Sequence, residues 1–429
     1  MRPLDGVRIL DLATFIAAPF AATILAEFGA EVIKVEQPGS GDPMRQFGTA
    51  TELPDSSLAW LSEARNKHSI TLNLKTPEGA ELLKRLVAEA DVVCENFRPG
   101  TLEKWGLGYD TLRAVNPKII LLQVSGYGQN GPYRDRPGFA RIAHAVGGLT
   151  YLAGMPGEAP VTPGSTSLAD YISGLFGAVG VLMALRTVEQ TGKGQAIDIA
   201  LFETIFRVLD ELAPAYARHG TVREREGLGT RNVCPHGHFP TRDGGWVAIA
   251  CTSDKIWQRM AVNVLKRPDL ADSHPTTADR VRDRALIDGV VSGFTTAHPT
   301  AEVVEICSRG EVPCAAINSI ADIFDDPQFE ARGILERIQR AVLGEIVVPD
   351  VLPKLSEAPG KIDSLGPRLG DWNEKVYGER LGLTAAQLET LIKKGVIYNP
   401  RHLEAPYPLA RTKRLCYETP RLTKGLSER

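Results

Sequence analysis

The sequence predicts an α/β protein whose larger part is a parallel sheet covered by helices on both faces. Three observations carry this expectation. Short apolar runs alternate with stretches of helical periodicity, the helices bear start and stop signals, and each apolar run gives way to a turn-rich loop. Residues 7–12 form the first apolar run, and residues 19–28 have helical spacing that stops at Gly29. Residues 31–36 read as a second strand. Residues 77–90 form an amphipathic helix with a proline in its first turn, followed by strand-like runs at 91–95 and 119–124. Ligands of such sheets gather at the carboxyl ends of the strands, which selects the loops after Leu12, Glu36, Glu95 and Val124.

Each of these loops is unusual. Residues 13–19 are mostly small and let a ligand lie against the backbone, and residues 37–45 are turn-rich and end in Arg45. Residues 96–100 hold Asn96 and Arg98 beside Pro99-Gly100, and residues 125–132 are glycine-rich. Neither GxGxxG nor GxxxxGK[ST] occurs, so the large domain is Rossmann-like in outline without a dinucleotide or P-loop fingerprint. The cations near these loops are few and separated: Arg45, Arg65, Lys67, Lys75, Arg98, Lys104, Arg134 and Arg136. Such a set suits a ligand with phosphates and a long neutral arm, of which coenzyme A is the type.

Composition narrows the partners. With 429 residues, 43% hydrophobic and 24% charged, the chain can bury a large core and is expected to split into two units. A formal charge of −3 gives no basic field for nucleic acid or an anionic membrane. The N-terminus is too polar for a signal peptide, and no apolar run approaches the length needed to span a bilayer. The six cysteines include no CxxC pair and read as reduced thiols of a cytoplasmic protein. His236 and His238 invite a metal reading, yet only Cys234 lies nearby, so no metal is expected.

The most informative segment is 164–174, where Asp170 stands between a small-residue approach and the apolar helix 175–185. A carboxylate there sits near helix amides and open backbone, a geometry suited to a nucleophile. The plainer role is a helix-start carboxylate that only complements the dipole.

Nine segments in consistent order give the chain a family. They read PLDGVRILDL at 3–12, LAEFGAEVIKVEQPGSGD at 25–42, NKHSITLNLKTPEG at 66–79, ADVVCENFRPG at 90–100 and VSGYGQNGP at 124–132. They continue as SLADYISG at 167–174, TGKGQAIDIALFE at 191–203, VPCAAINS at 312–319 and DPQFEARG at 326–333. In these the chain resembles the class III CoA-transferases, which include formyl-CoA and carnitine CoA-transferases and have the alpha-methylacyl-CoA racemases as relatives. The resemblance implies that Asp170 is the catalytic aspartate. It implies CoA contacts from Phe15, Ile16, Leu72, Asn73, Leu74, Lys75, Asn96, Phe97, Arg98, Lys104 and Arg136. It also implies a homodimer of interlocked ring-shaped chains. A large CoA-binding domain would run over 1–200 and return at 326–397, with a linker helix at 201–224, a smaller α/β domain at 225–325 and a C-terminal extension at 398–429.

Two departures bear on chemistry. Some members carry an arginine where this chain has Gln37 and Pro38, and the family's Pro-Gly-Tyr-Asp stretch reads Pro137-Gly138-Phe139-Ala140. The racemase branch needs a histidine in that region, but the nearest is His144, so racemisation is disfavoured. The expected reaction moves CoA between carboxylic acids through an aspartyl anhydride and an aspartyl thioester. Gly147, Gly148 and the loop 126–128 are candidates for oxyanion donors. Arg45, Arg65 and Arg141, with His144 beside them, are candidates to hold the substrate. Succinyl-CoA as donor and a small dicarboxylic acid as acceptor complete the expectation. An acyl-CoA racemase and a noncatalytic CoA-binding protein are the alternatives.

Overall fold

The computed structural model describes residues 1–398. Six parallel strands build the main sheet: β1 (Arg8–Asp11), β2 (Glu31–Glu36), β3 (Lys67–Thr71), β4 (Val92–Glu95), β5 (Ile120–Ser125) and β6 (Ala196–Ala200). Their spatial order is β3-β2-β1-β4-β5-β6. The order reverses between β1 and β4, which opens a crevice at their carboxyl ends. All four runs read as strands from their apolar residues lie in this sheet. β3 escapes that reading because Lys67, Ser69 and Thr71 face the interior as polar groups. Each has a partner there: Lys67 pairs with Asp11 at 2.9 Å, Ser69 donates to Glu36, and Thr71 accepts from Asn373 at 2.9 Å.

One face of the sheet is covered by the helix Ala17–Glu27 and the long helix Leu168–Thr191, which pack closely on one another. Glycines make that contact possible. A Cβ on Gly174 would lie 2.8 Å from the Ala17 carbonyl, and one on Gly177 would lie 3.2 Å from the Ala21 methyl. The long helix therefore starts well before residue 175, and it ends at Gly192 in the left-handed conformation. At 24 residues it is long and apolar enough to cross a bilayer, which corrects the expectation that no run reaches that length. Here its small-residue face is buried against the sheet and its neighbour helix, as in a core helix. The opposite face leaves Leu175, Phe176, Val179, Leu182 and Met183 exposed.

A second sheet is antiparallel, in the order β10-β9-β8-β7, from β7 (Gly229–Thr230), β8 (Val233–Pro240), β9 (Trp246–Ala250) and β10 (Cys314–Ala316). Helices Arg284–Ala297 and Thr300–Arg309 help close its core around Phe239, Val247, Ile249 and Val291. Strand β8 carries His236 and His238, and the span 201–224, expected as one linker helix, holds two helices, Leu201–Arg207 and Leu212–His219. After the hairpin β11 (Leu335–Arg340) and β12 (Gly344–Pro349), the chain returns to the main sheet. Trp372 donates its amide to Ser69, Asn373 accepts from the Thr71 amide at 2.8 Å, and Tyr377 and Val396 join the core beneath β3. Of the expected C-terminal extension, residues 399–429 lie outside the described residues.

Candidate active site

The site is built on the loop after β1. Phe15 has φ of 61°, a left-handed backbone that a side chain bearing Cβ adopts only when its surroundings hold it there. Four side chains do so. Asp11 accepts from the Ala13 amide at 3.2 Å, Lys34 donates to the Ala13 carbonyl, and Asp42 accepts from the Phe15 amide at 3.1 Å. Asn96, at the end of β4, accepts from the Thr14 amide at 2.8 Å and donates to its carbonyl at 2.7 Å. Beneath the loop, Lys34 pairs with Asp42 at 2.9 Å and lies 3.6 Å from Asp11, which also binds Lys67. Burial pushes both lysines toward neutrality. The carboxylates of Asp11, Asp42 and Glu36 outweigh it at Lys34 and raise its pKa, whereas burial and the like charge of Lys34 leave Lys67 lowered.

Two cavities meet over this loop. One, of about 230 Å³, is bounded by Thr14–Ala17, by Asn96–Pro99, by Val124–Gly126, by Arg134 and Arg136–Phe139, and by Asp170. The other, of about 370 Å³, lies over the ends of β1 to β3, among Lys34, Gln37, Leu72, Leu74, Lys75 and Trp105. Thr14, Phe97 and Arg98 belong to both, so the two form one groove across the point where strand order reverses. All four loops selected from the sequence contribute to it.

Asp170 is the acid of the first cavity. Burial alone pushes its carboxyl up to about 6, and among the described residues no hydrogen bond or neighbouring cation offsets that. A carboxylate poorly solvated and unpaired is reactive in the sense nucleophilic catalysis requires. Glu95, buried at the end of β4, is pushed by burial up to about 7. The Phe97 amide and Gln123, both bonded to it, only partly offset that rise.

Of the residues expected to contact CoA, Phe15, Ile16, Leu72, Leu74, Lys75, Asn96, Phe97, Arg98 and Arg136 line the groove. Asn73 and Lys104 do not: the Asn73 side chain closes a turn onto the Lys75 amide, and Lys104 ends a short helix with its side chain in solvent. The expected substrate arginines are not brought together. Arg45 is buried in a bidentate pair with Glu36 at 2.7 Å and stacks on Trp60, and Arg65 is buried against Glu27 and the Pro349 carbonyl. Both guanidinium groups are occupied by the interior. Arg141 is exposed on the helix Ala140–Val146 and lies outside the cavity lining, and His144 is buried beneath it.

Gly147 and Gly148 are corrected as oxyanion donors because their amides already close the end of that helix, onto Ala143 at 2.8 Å and Ala145 at 3.3 Å. Gly126 does line the cavity, and a Cβ on it would lie 2.9 Å from the Gly138 Cα, so only glycine fits there. Residues missed from the sequence include Thr14 and Trp105. Thr14 sits inside a loop already singled out, and nothing local marks Trp105, which arrives from a helix after Gly100.

The chain belongs to CoA-transferase family III, whose model matches residues 4–373. It is an enzyme that transfers CoA. Among its relatives in Chloroflexus aurantiacus, the succinyl-CoA–L-malate CoA-transferase beta subunit is 55% identical over 92% of this chain and 98% of its own length. The alpha subunit of that enzyme is 51% identical, over 92% of each chain. The crystal structure of a CAIB/BAIF family protein from Brucella suis superposes with a TM-score of 0.78 at 34% identity, over 88% of this chain and 99% of that one.

Proposed function

We propose that this protein moves CoA from succinyl-CoA to a small dicarboxylic acid, with Asp170 as a covalent relay. The observation that carries the reading is one unpaired carboxylate facing a cavity that is continuous with a cation-bearing groove. The relatives' donor, succinyl-CoA, and the malate acceptor of both subunits support the substrate class. Arg98 and Lys75 suit the phosphates, and Phe97 and Leu72 the neutral arm.

The chemistry proceeds in four reversible steps. Asp170 attacks the donor thioester carbonyl, the C–S bond breaks, and CoA thiolate leaves a mixed anhydride. The thiolate then attacks the aspartyl carbonyl, releasing the donor acid and forming an aspartyl-CoA thioester. The acceptor carboxylate attacks that thioester, expelling the thiolate again. The thiolate finally takes the acceptor's acyl group and frees Asp170. No external base is required, because every nucleophile enters already ionised. Oxyanions that develop meet the first-turn amides of the Ala17–Glu27 helix, which has no side-chain cap and begins in the cavity lining. The expected result of offering succinyl-CoA with a panel of acids is new thioesters of C4 and C5 dicarboxylates, read by mass spectrometry. Exchange of the substrate's α-hydrogen with deuterated water, without any acceptor, would instead favour the racemase reading.

The exposed apolar stripe of the long helix, Leu175 to Met183, is proposed to be covered by a second copy of the chain in an interlocked homodimer. Light scattering at micromolar concentration is expected to give twice the chain mass, with no subunit exchange short of denaturation. A monomer under those conditions would overturn this assembly.

A further inference from the structure

We infer that His144 is a positioning residue that keeps the Asp170 carboxylate free for the cavity; this rests on the reading of Asp170 as the nucleophile. Ser167 is the N-cap of the long helix and Asp170 its third residue, the spacing at which serine and acid ordinarily bond each other's backbone. Two helices of this same chain do that. Thr276 with Asp279 and Ser319 with Asp322 form reciprocal caps, and in each the bonds from that cap hold the aspartate below its usual range. At Ser167 and Asp170 the same pattern stays open. The Ser167 side chain caps nothing, and the Asp170 carboxyl is raised by burial instead of lowered by amides.

What replaces the local cap comes from another helix. His144 is 1% exposed, and its Nε2 accepts from the Ala169 amide at 3.0 Å, one residue before Asp170. A nitrogen that accepts carries no proton, so the ring is the neutral tautomer with hydrogen on Nδ1. Burial, together with the charge of Arg141 on its own helix, favours that neutral form. Among the described residues Nδ1 has no partner, and the one bond the ring makes there is the one to the helix start. With a first-turn amide satisfied from outside, the helix can begin without recruiting its own acid. Asp170 is thereby left facing the cavity, whose other charged groups are Arg98, Arg134 and Arg136, with Tyr171 and Glu63 behind it.

The test compares His144→Leu, His144→Gln and His144→Asn in the full-length protein, with Asp170→Asn beside them. Leucine removes the acceptor; glutamine restores an oxygen near the Nε2 position; asparagine falls short of Ala169. His144→Leu and His144→Asn are expected to lower kcat by ~10- to 100-fold per folded molecule, with KM for succinyl-CoA within about twofold. The acid limb of their rate profile should move to lower pH, because Asp170 then gains amide donors. His144→Gln is expected to recover kcat to within about threefold of the parent. Equal loss in glutamine and asparagine variants, or full kcat in the asparagine variant, would overturn the inference while leaving Asp170 in place. Turnover retained by Asp170→Asn would remove the nucleophile reading itself, and the positioning role with it.

Discussion

Replacing Asp170 with alanine is expected to lower kcat by at least about 10³-fold, since the step it removes is the proposed covalent one. The same variant should bind acyl-CoA as the parent does, because the groove's phosphate and arm contacts lie on other loops. Binding measured by calorimetry therefore separates lost chemistry from lost recognition. On the proposed mechanism the nucleophile is the ionised form, and Asp170 ionises only above about 6. The parent's kcat/KM is thus expected to be flat above that value and to fall tenfold per unit below it. The stability effect has the opposite sense. A carboxyl whose folded pKa is raised makes the native state the better proton binder, so its contribution falls as pH rises from about 4 to about 6. Above that window Asp170→Ala should be no less stable than the parent, and a destabilised variant at pH 8 would contradict the account. Retained transfer would end the covalent proposal.

The second large effect lies below the site. Asp11→Ala is expected to destabilise the protein by about 3–5 kcal/mol, because it strips Lys67 of its carboxylate inside the core. Lys34 keeps Asp42, but among the described residues Lys67 retains only its bond to the Pro19 carbonyl at 2.7 Å. The Ala13 amide also loses its acceptor, which slackens the loop that carries Phe15. Asp11→Asn should recover part of the loss by keeping that bond while still removing the charge. Urea unfolding at pH 7 measures both, and a loss below about 1 kcal/mol for the alanine variant would mean that Lys67 gives up its proton at little cost.

These two residues also mark how much was legible in the sequence. Asp170 stands out because glycines and small side chains before an apolar helix are a local pattern. The strands β1, β2, β4 and β5 are legible for a similar reason, as buried apolar runs between turn signals. β3 is not, because its inward residues are polar and make sense only beside Glu36 and Asp11, which arrive from other strands. The arginines fail for the converse reason. A guanidinium in sequence looks the same whether it awaits a substrate or faces Glu36 or Glu27 across the interior. Gly147 and Gly148 likewise give no local sign that a helix end has already taken their amides. His144 lies between these cases: its presence near the site was visible, but the bond to Ala169 joins residues 25 apart.

The late return of the chain to β3 bears on how the molecule is made. Until Trp372 and Asn373 emerge, the outer strand of a finished six-stranded sheet has unmet amide and carbonyl groups along its rim. A nascent chain arrested in the antiparallel unit would carry that bare rim into a crowded cell, ready to pair with its like. Synthesis must pass residue 373 before the main sheet is shielded from its own neighbours.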